Sequence, residues 1–495
     1  MKKKINIIAL LGLVLLTACY EDKGNYDYSE LTEVQISGID EKYTVYVDEM
    51  FNVPVEVTYK NGTLKDVSYE WRINGEVIYR EKDLNVMVDF PVKPGLYADF
   101  SVIDNETGIK TMKKFTVNVS TPYYNGWLIL SDEGTHSTLS YIRNDGTFFA
   151  DIYEELNGEQ LNGGATRIKE HWTPWGENTG EVFVGVANGP NYSVDLDGNN
   201  MKRVVYNKDE FLGGIPNDFA PQNMDCVSNW DYMISNGKLY TRYIDRTTDA
   251  QYHEGLYVNG AVPGDYELLP ITIRGNLIMS NDIISFDMLS KSYKLLRGGQ
   301  MSNFNYTNDP TKAFIPYNMG KTLLAGGATS TESPRDYFIT FLKGDDGQYY
   351  VQRFYFSGWG SVKSYYSISE TLFPNPELIQ PDTKWAVCIG RPYVYFTSGN
   401  KLYSYYFDND KASVVKELKG TTFDGKIKEI ALCLTDYQKL AVISENPSKP
   451  GKNDFTLLDV SVIGDGATIK DSKKEAVLGN VVNVVYKLGS QWDTY

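Results

Sequence analysis

Residues 121–495 repeat one short theme, and that repeat constrains the fold more than any other feature. Each unit has an apolar strand, a second strand rich in Tyr and Phe, and a polar turn built from Asp, Asn or Gly. The turns are Arg143-Asn144-Asp145-Gly146, Asp195-Leu196-Asp197-Gly198, Asp245-Arg246-Thr247-Thr248, Asp287-Met288-Leu289-Ser290, Gly344-Asp345-Asp346-Gly347 and Asp408-Asn409-Asp410-Lys411, with a less regular one near Asp459. Their spacing is roughly 50 residues, the span of a four-stranded propeller blade. Asp-Gly turns supply the left-handed backbone that tight hairpins need. A single blade cannot bury both faces of its sheet, whereas a ring of blades buries them against one another. The expectation is a seven-bladed β-propeller over 121–495; a second sandwich or a β-helix is the alternative.

Residues 32–120 carry a different pattern. Tyr43-Thr44-Val45-Tyr46-Val47, Phe51 to Val57, Tyr69-Glu70-Trp71-Arg72-Ile73 and Phe115-Thr116-Val117-Asn118-Val119 each alternate apolar and polar residues. Period-two alternation marks strands with one buried face. Asn61-Gly62, Asn74-Gly75, Pro94-Gly95 and Glu106-Thr107-Gly108 punctuate them. About seven short strands in some 90 residues suit an immunoglobulin-like β-sandwich. The whole chain is therefore expected to be all-β, with Trp71 in the sandwich core.

The amino terminus reads as an export signal. Lys2, Lys3 and Lys4 precede an apolar run from Ile5 to Leu16, which is too short to span a bilayer. Leu16-Thr17-Ala18-Cys19 then has the form of a bacterial lipobox. Residues 1–18 are read as the cleaved leader and Cys19 as the acylated first residue, a palmitate-type attachment to the membrane. Residues 19–31 read as a flexible tether, since Tyr20 to Glu30 is polar and lacks aliphatic side chains.

A family resemblance rests on these residues. Tyr69-Glu70-Trp71-Arg72-Ile73-Asn74-Gly75 resembles the central Tyr-x-Trp strand of polycystic-kidney-disease (PKD)-like domains. Pro94-Gly95-Leu96-Tyr97, Phe100 to Asp104 and Phe115 to Val119 resemble their closing hairpin. Cys19-Tyr20-Glu21-Asp22-Lys23-Gly24-Asn25-Tyr26 resembles the amino terminus of PKD-like lipoproteins of Bacteroidetes. The Gly-Asp-Gly that follows the Trp strand in better-known PKD domains is missing here. The resemblance implies an outer-membrane lipoprotein facing the cell exterior, since Glu21-Asp22 resembles a surface-export signal. It also implies a place beside starch-utilisation-type transporters, which import glycans or peptides.

Charge and cysteine count narrow the functions further. The formal net charge is −16, and removing the three leader lysines makes it −19. Such a chain repels phosphate backbones, so nucleic acid is not an expected partner. Without Cys19 the remaining cysteines are Cys226, Cys388 and Cys433, an odd number that gives no disulfide framework. Cys388 and Cys433 sit in apolar strands and read as core, with a bridge between them as the alternative.

Chemistry is sparse. His136, His171 and His253 stand far apart, and no nucleophile elbow, phosphate loop or paired-histidine zinc motif is present. Asp195-x-Asp197-Gly198-Asn199 resembles part of a calcium loop but lacks its later Glu, and it reads as a hairpin turn. No catalytic residue, metal or cofactor is assigned. The aromatic signal is stronger. Glu170-His171-Trp172-Thr173-Pro174-Trp175-Gly176 and Gly358-Trp359-Gly360 place large rings in Gly- and Pro-bearing stretches. His171, Trp172, Trp175 and Trp359 are the candidate ligand-binding residues, because a flat ring holds a sugar or an apolar side chain; packing of these Trp between blades is the competing role. Trp127, Trp230 and Trp385 lie in apolar strands and read as core. The expectation is a non-enzymatic surface protein that binds a nutrient glycan or peptide, or docks onto an outer-membrane transporter. A propeller-type hydrolase or lyase with its site in the central channel, and a structural or adhesive module, are the other readings. Cys19→Ser is expected to abolish incorporation of labelled palmitate and to move the protein from the membrane to the soluble fraction, measured by metabolic labelling and fractionation.

Overall fold

The computed structural model describes residues 32–171, 180–227, 229–244, 255–275, 282–306, 312–329, 337–357, 364–407, 413–462 and 464–489. The chain divides into two compact units, Met1–Ser120 and Thr121–Tyr495. Residues 1–31, which hold the expected leader, Cys19 and the whole expected tether, lie outside the described residues.

The first unit is a β-sandwich. One layer is a five-stranded sheet in the order Lys42–Tyr46, Lys110–Ser120, Lys93–Asp104, Val67–Ile73, Glu76–Tyr79. Its first pair is parallel and the rest antiparallel. Two hairpin-like pairs complete the fold, Glu33–Ser37 with Glu56–Lys60 and Met50–Val53 with Leu84–Met87. Alternation does the work expected of it: Trp71, Ala98, Phe100, Val102, Phe115 and Val117 share one core. Trp71 is fully buried, lies 4.5 Å from the Phe100 ring, and donates Nε1–H to the Glu81 carbonyl at 3.0 Å. An indole so placed is structural, since its one polar atom is satisfied inside.

Glu70, next to Trp71, gathers three cations: Arg72 at 2.7 Å, Arg80 at 2.8 Å and Lys110 at 2.9 Å. Hydrogen bonds from Lys110 and Arg72 hold its pKa down at about 2.

Among the described residues, the second unit is a ring of seven blade sheets, with a short parallel pair, Phe211–Leu212 and Tyr257–Val258, besides. The innermost strands are Val481–Lys487 (blade 1), Ala165–His171 (blade 2), Pro221–Val227 (blade 3) and Ile273–Arg274 (blade 4). Lys321–Thr329 (blade 5), Trp385–Val387 (blade 6) and Ile427–Leu432 (blade 7) follow. Within each blade the strands run antiparallel from the inner edge outward. Blade 1 mixes the two ends of the unit: the carboxy-terminal strand Val481–Lys487 pairs with Gly126–Asp132, which pairs with His136–Arg143. Blade 3 has three strands among the described residues, and a short helix, Ile152–Asn157 capped by Asp151, packs at blade 1.

Neighbouring inner strands touch around the ring. Asn483 Oδ1 accepts from the Ile168 N–H at 2.9 Å, Thr166 Oγ1 donates to the Pro221 carbonyl at 3.1 Å, and Thr329 Oγ1 donates to the Ile389 carbonyl at 3.0 Å. Lys384 and Glu429 pair across blades 6 and 7. At blade 5 the approach is steric. A Cβ on Gly326 would strike Ile273 of blade 4, and one on Gly327 would meet Val387 of blade 6 at 2.5 Å. The Gly326-Gly327 pair therefore lets the inner strand fit between both neighbours.

The expected turns fall at two different places in the blades. Asn144-Asp145-Gly146, Asp197-Gly198 and the turn after Asp459 follow the third strand, whereas Asp287–Ser290 and Gly344–Gly347 follow the second. The Asp245 and Asp408 turns lie outside the described residues. The repeat length survives because both turn types recur once per blade. Cys226, Cys388 and Cys433 are buried free thiols, which removes the Cys388–Cys433 bridge. Trp127 is core, resting edge-on against Tyr486 of the closing strand at 5.0 Å, while Trp230 and Trp385 are half-buried.

The depressed pKa of Glu70 gives stability that is present above the ordinary carboxylate range and lost as pH falls through the folded value. Glu70→Gln is expected to lower Tm at neutral pH. The gap should close between about pH 5 and pH 2, measured by thermal unfolding across that range.

Candidate functional site

His171 is the described residue around which most chemistry gathers. It ends the inner strand of blade 2, directly opposite Glu181 on the second strand. Glu181 is opposite Asp197 on the third strand, and Asp195 lies two residues back on the same face. Three adjacent strands thus present an imidazole and two carboxylates to blade 3. Blade 3 answers with Asp231 and Arg242, themselves an opposed pair on neighbouring strands. Glu210 and Asn207, from the connection between the blades, and Tyr257 complete the cluster.

The distances describe one network. His171 Nε2 lies 3.5 Å from Asp195 Oδ1 and 4.0 Å from Glu181 Oε2, and Nδ1 lies 3.6 Å from Asp231 Oδ2. Arg242 donates Nε–H to Asp231 at 2.6 Å, sits 3.4 Å from Asp195 Oδ2, and pairs with Glu210. Its guanidinium carbon stands 4.8 Å from the centre of the Tyr257 ring. His171, Glu210, Tyr257, Asp231, Asp195 and Arg242 are each at most 1% exposed.

Burial and charge pull against each other here. Burial alone would drive the proton off His171, but Asp195 and Asp231 outweigh it and raise the pKa well above the usual imidazole value. Burial likewise pushes Glu210 well up, beyond what Arg242 recovers. Asp195 moves the other way: despite burial, the His171 charge holds it at about 2.

A second polar group lies on the inner strands beside it. Lys169 Nζ is 3.0 Å from Asp225 Oδ2 of blade 3, which also accepts from Thr272 Oγ1 of blade 4 at 2.9 Å. Arg274 of blade 4 reaches the Cys226 carbonyl at 3.3 Å. Burial lowers the pKa of Lys169 in spite of Asp225. Glu170, facing blade 1, accepts the Leu488 N–H at 2.9 Å, and burial raises its pKa to about 7.

These positions correct part of the sequence reading. His171 was expected in an exposed aromatic loop. It is instead a strand residue with no exposure, because its ring is drawn between blades by Asp195 and Asp231. Asp195 is likewise a strand residue; only Asp197 makes the turn, accepting from the N–H groups of Asn199 and Asn200. Trp172, Trp175 and Trp359 lie outside the described residues. Their anchor points are described. His171 and Glu181 bracket the first pair, as the connection from first to second strand of blade 2; Ser357 and Ser364 bracket Trp359, as the connection from third to fourth strand of blade 5. First and third strands of a blade run the same way, so both connections start and end at one face of the ring.

Sequence reading missed Asp231, Arg242 and Glu210. The available signal was a charge inside an otherwise apolar or aromatic strand, as in Trp230-Asp231-Tyr232-Met233-Ile234 and Leu239-Tyr240-Thr241-Arg242-Tyr243.

Comparison with known proteins agrees with the first unit. Residues 19–164 match the model of the PKD-like family. That match runs beyond the sandwich into blade 1 and covers less than a third of the chain. No curated protein matches the sequence. Among solved structures, the chain is similar to a quinoprotein alcohol dehydrogenase-like protein from Bacteroides thetaiotaomicron, with 11% identity, a TM-score of 0.42, and coverage of 93% of this chain and 100% of that one. It is also similar to the β-propeller domain of Cps50 (Swd1) from Myceliophteria thermophila, at 12% identity, TM-score 0.35, and 65% and 92% coverage. PorZ of Porphyromonas gingivalis, a surface component of the type-IX secretion system, matches at 7% identity, TM-score 0.29, and 91% and 67% coverage. The propeller assignment stands on strand pairing and ring closure.

Arg242→Leu leaves Asp195, Asp231 and Glu210 buried without their main counter-charge. Breaking a buried ion pair from one side costs about 3–5 kcal/mol. A loss of that order is expected in urea unfolding at neutral pH.

Proposed function

We propose that this chain is a non-enzymatic, lipid-anchored protein of the outer-membrane surface that captures a nutrient glycan or peptide for a starch-utilisation-type transporter. The anchor is Cys19 behind its lipobox. The observation that carries the binding role is that the described ends of the two connections that hold these Trp in sequence, His171 and Glu181 in blade 2 and Ser357 and Ser364 in blade 5, lie at one face of the propeller. Aromatic rings presented from that face would suit an extended ligand, each ring gripping it by stacking while polar neighbours fix its orientation.

The ionisable groups support the same reading. In the described part of the propeller, the histidine and carboxylates with the most altered environments face one another across blades 2 and 3. Their charges are spent on joining blades and are shielded from any substrate in solvent. The likeness of residues 19–164 to PKD-like proteins is consistent with a surface module.

The test is retention on glycan and peptide arrays by the soluble chain beginning at Thr32. One class of polymer is expected to be retained. Trp172→Ala, Trp175→Ala and Trp359→Ala should each weaken it about threefold to tenfold, the worth of one stacked ring. Absence of retention by any glycan or peptide would overturn nutrient capture, and product release from the retained polymer would overturn the non-enzymatic assignment.

A further inference from the structure

Among the described residues, the cluster between blades 2 and 3 gathers the buried carboxyl groups of Asp195, Asp231, Glu210 and Glu181 around the Arg242 guanidinium and the His171 imidazole.

Three donor atoms converge in it. His171 Nε2, a Glu181 carboxylate oxygen and Asp195 Oδ1 all lie within 4.8 Å of one another, with the imidazole 3.5 Å from Asp195 and 4.0 Å from Glu181. An ion with bonds of about 2.1 Å in tetrahedral geometry holds its donors roughly 3.4 Å apart. The Asp195 pair already has that separation, the Glu181 pair needs a closure of about 0.6 Å, and the two carboxylate oxygens, within 4.8 Å of each other, close by at most about 1.4 Å.

Two further observations point to a ligand. Asp195 Oδ1 is buried and has no well-formed hydrogen bond, while its other oxygen is turned toward Arg242. The orientation of the ring also fits. Asp231 lies against Nδ1 at 3.6 Å, so a proton held there leaves the Nε2 lone pair directed at Asp195 and Glu181. A carboxylate behind the distal nitrogen is the usual arrangement of a metal-bound histidine.

We propose that His171, Glu181 and Asp195 hold one divalent transition-metal ion, with zinc as the best match. One imidazole and two carboxylates suit zinc, whereas calcium and magnesium take oxygen donors almost exclusively. The metal satisfies the ring and both carboxylates together. The site is structural, since it is shut from solvent, and it lies at the neck of the connection that carries Trp172 and Trp175: His171 and Glu181 flank that connection. The ion would pin its two ends to the third strand of the same blade.

The test uses the soluble chain purified without chelator, incubated with excess zinc sulfate and desalted. Elemental analysis is expected to give about one zinc per chain. Removing it with dipicolinate should lower Tm by several degrees, and zinc should restore it. Glu181→Gln and His171→Gln should each lose the zinc and the response to chelator. If those variants do not fold, the wild-type chain still decides the matter through cobalt substitution, whose visible bands report a nitrogen and oxygen donor set. Less than about a tenth of an equivalent of zinc, with a Tm indifferent to chelator, would overturn the proposal. So would zinc retained in full by folded Glu181→Gln and His171→Gln. Array retention is a separate readout, so loss of nutrient capture and loss of metal are distinguishable.

Discussion

The pairing of Val481–Lys487 with Gly126–Asp132 is the interaction on which the propeller depends. It supplies the inner strand of blade 1 from the far end of the chain. Without it, blade 1 would offer a bare edge and blades 7 and 2 would lose the surface between them. The closing strand is accordingly well anchored. Tyr486 packs on Trp127 and accepts a hydrogen bond from Asn144 Nδ2 at 2.9 Å, and Lys487 Nζ donates to the Tyr124 carbonyl at 2.9 Å. Val481, Val484 and Tyr486 join one core with Ala441, Ile443 and Phe455 of blade 7.

The polar interface of blades 2 and 3 uses a different physics. Most blade faces meet through side chains such as Phe341, Phe373 and Phe396, where burial of apolar area supplies the attraction. Between blades 2 and 3, Arg242 and His171 face Asp195, Asp231 and Glu210 instead. Desolvation consumes most of the Coulombic gain of such groups, so they add little net stability over an apolar interface. What they add is directionality: each donor has a defined acceptor, and the relative setting of two strands is fixed. His171 and Glu181, which bound the connection carrying Trp172 and Trp175 in sequence, belong to this interface.

Much of the architecture was legible in the chain, for local reasons. Alternation at Tyr69–Ile73 and Phe115–Val119 marks one buried face whatever lies across from it, and Trp71 and Phe115 do meet in the core. Asp and Gly turns recur with the blade because hairpins need them. The site was far less legible. His171 looked loop-like because Trp172, Pro174, Trp175 and Gly176 follow it, whereas its place is decided by Asp195 and Asp231, which are distant in sequence. Asp195 sat in an Asp-x-Asp-Gly string whose turn needs only its second aspartate. Charges that satisfy one another across blades leave no periodic trace, since their spacing reflects blade length and not residue geometry. The cysteines were easier: in apolar strands, burial alone describes them.

Closure by the last strand also dictates when the fold can exist. Gly126 and Lys487 are partners, so a loop of some 360 residues must shut before blade 1 is whole, and contacts of such long range are slow to form. During synthesis, blades 2 to 7 emerge while the ring is still an open arc with two unsatisfied ends. The chain must then be kept from joining a second copy edge to edge until its tail arrives. Assembly is thereby timed by Val481–Lys487 rather than by the first blade to fold.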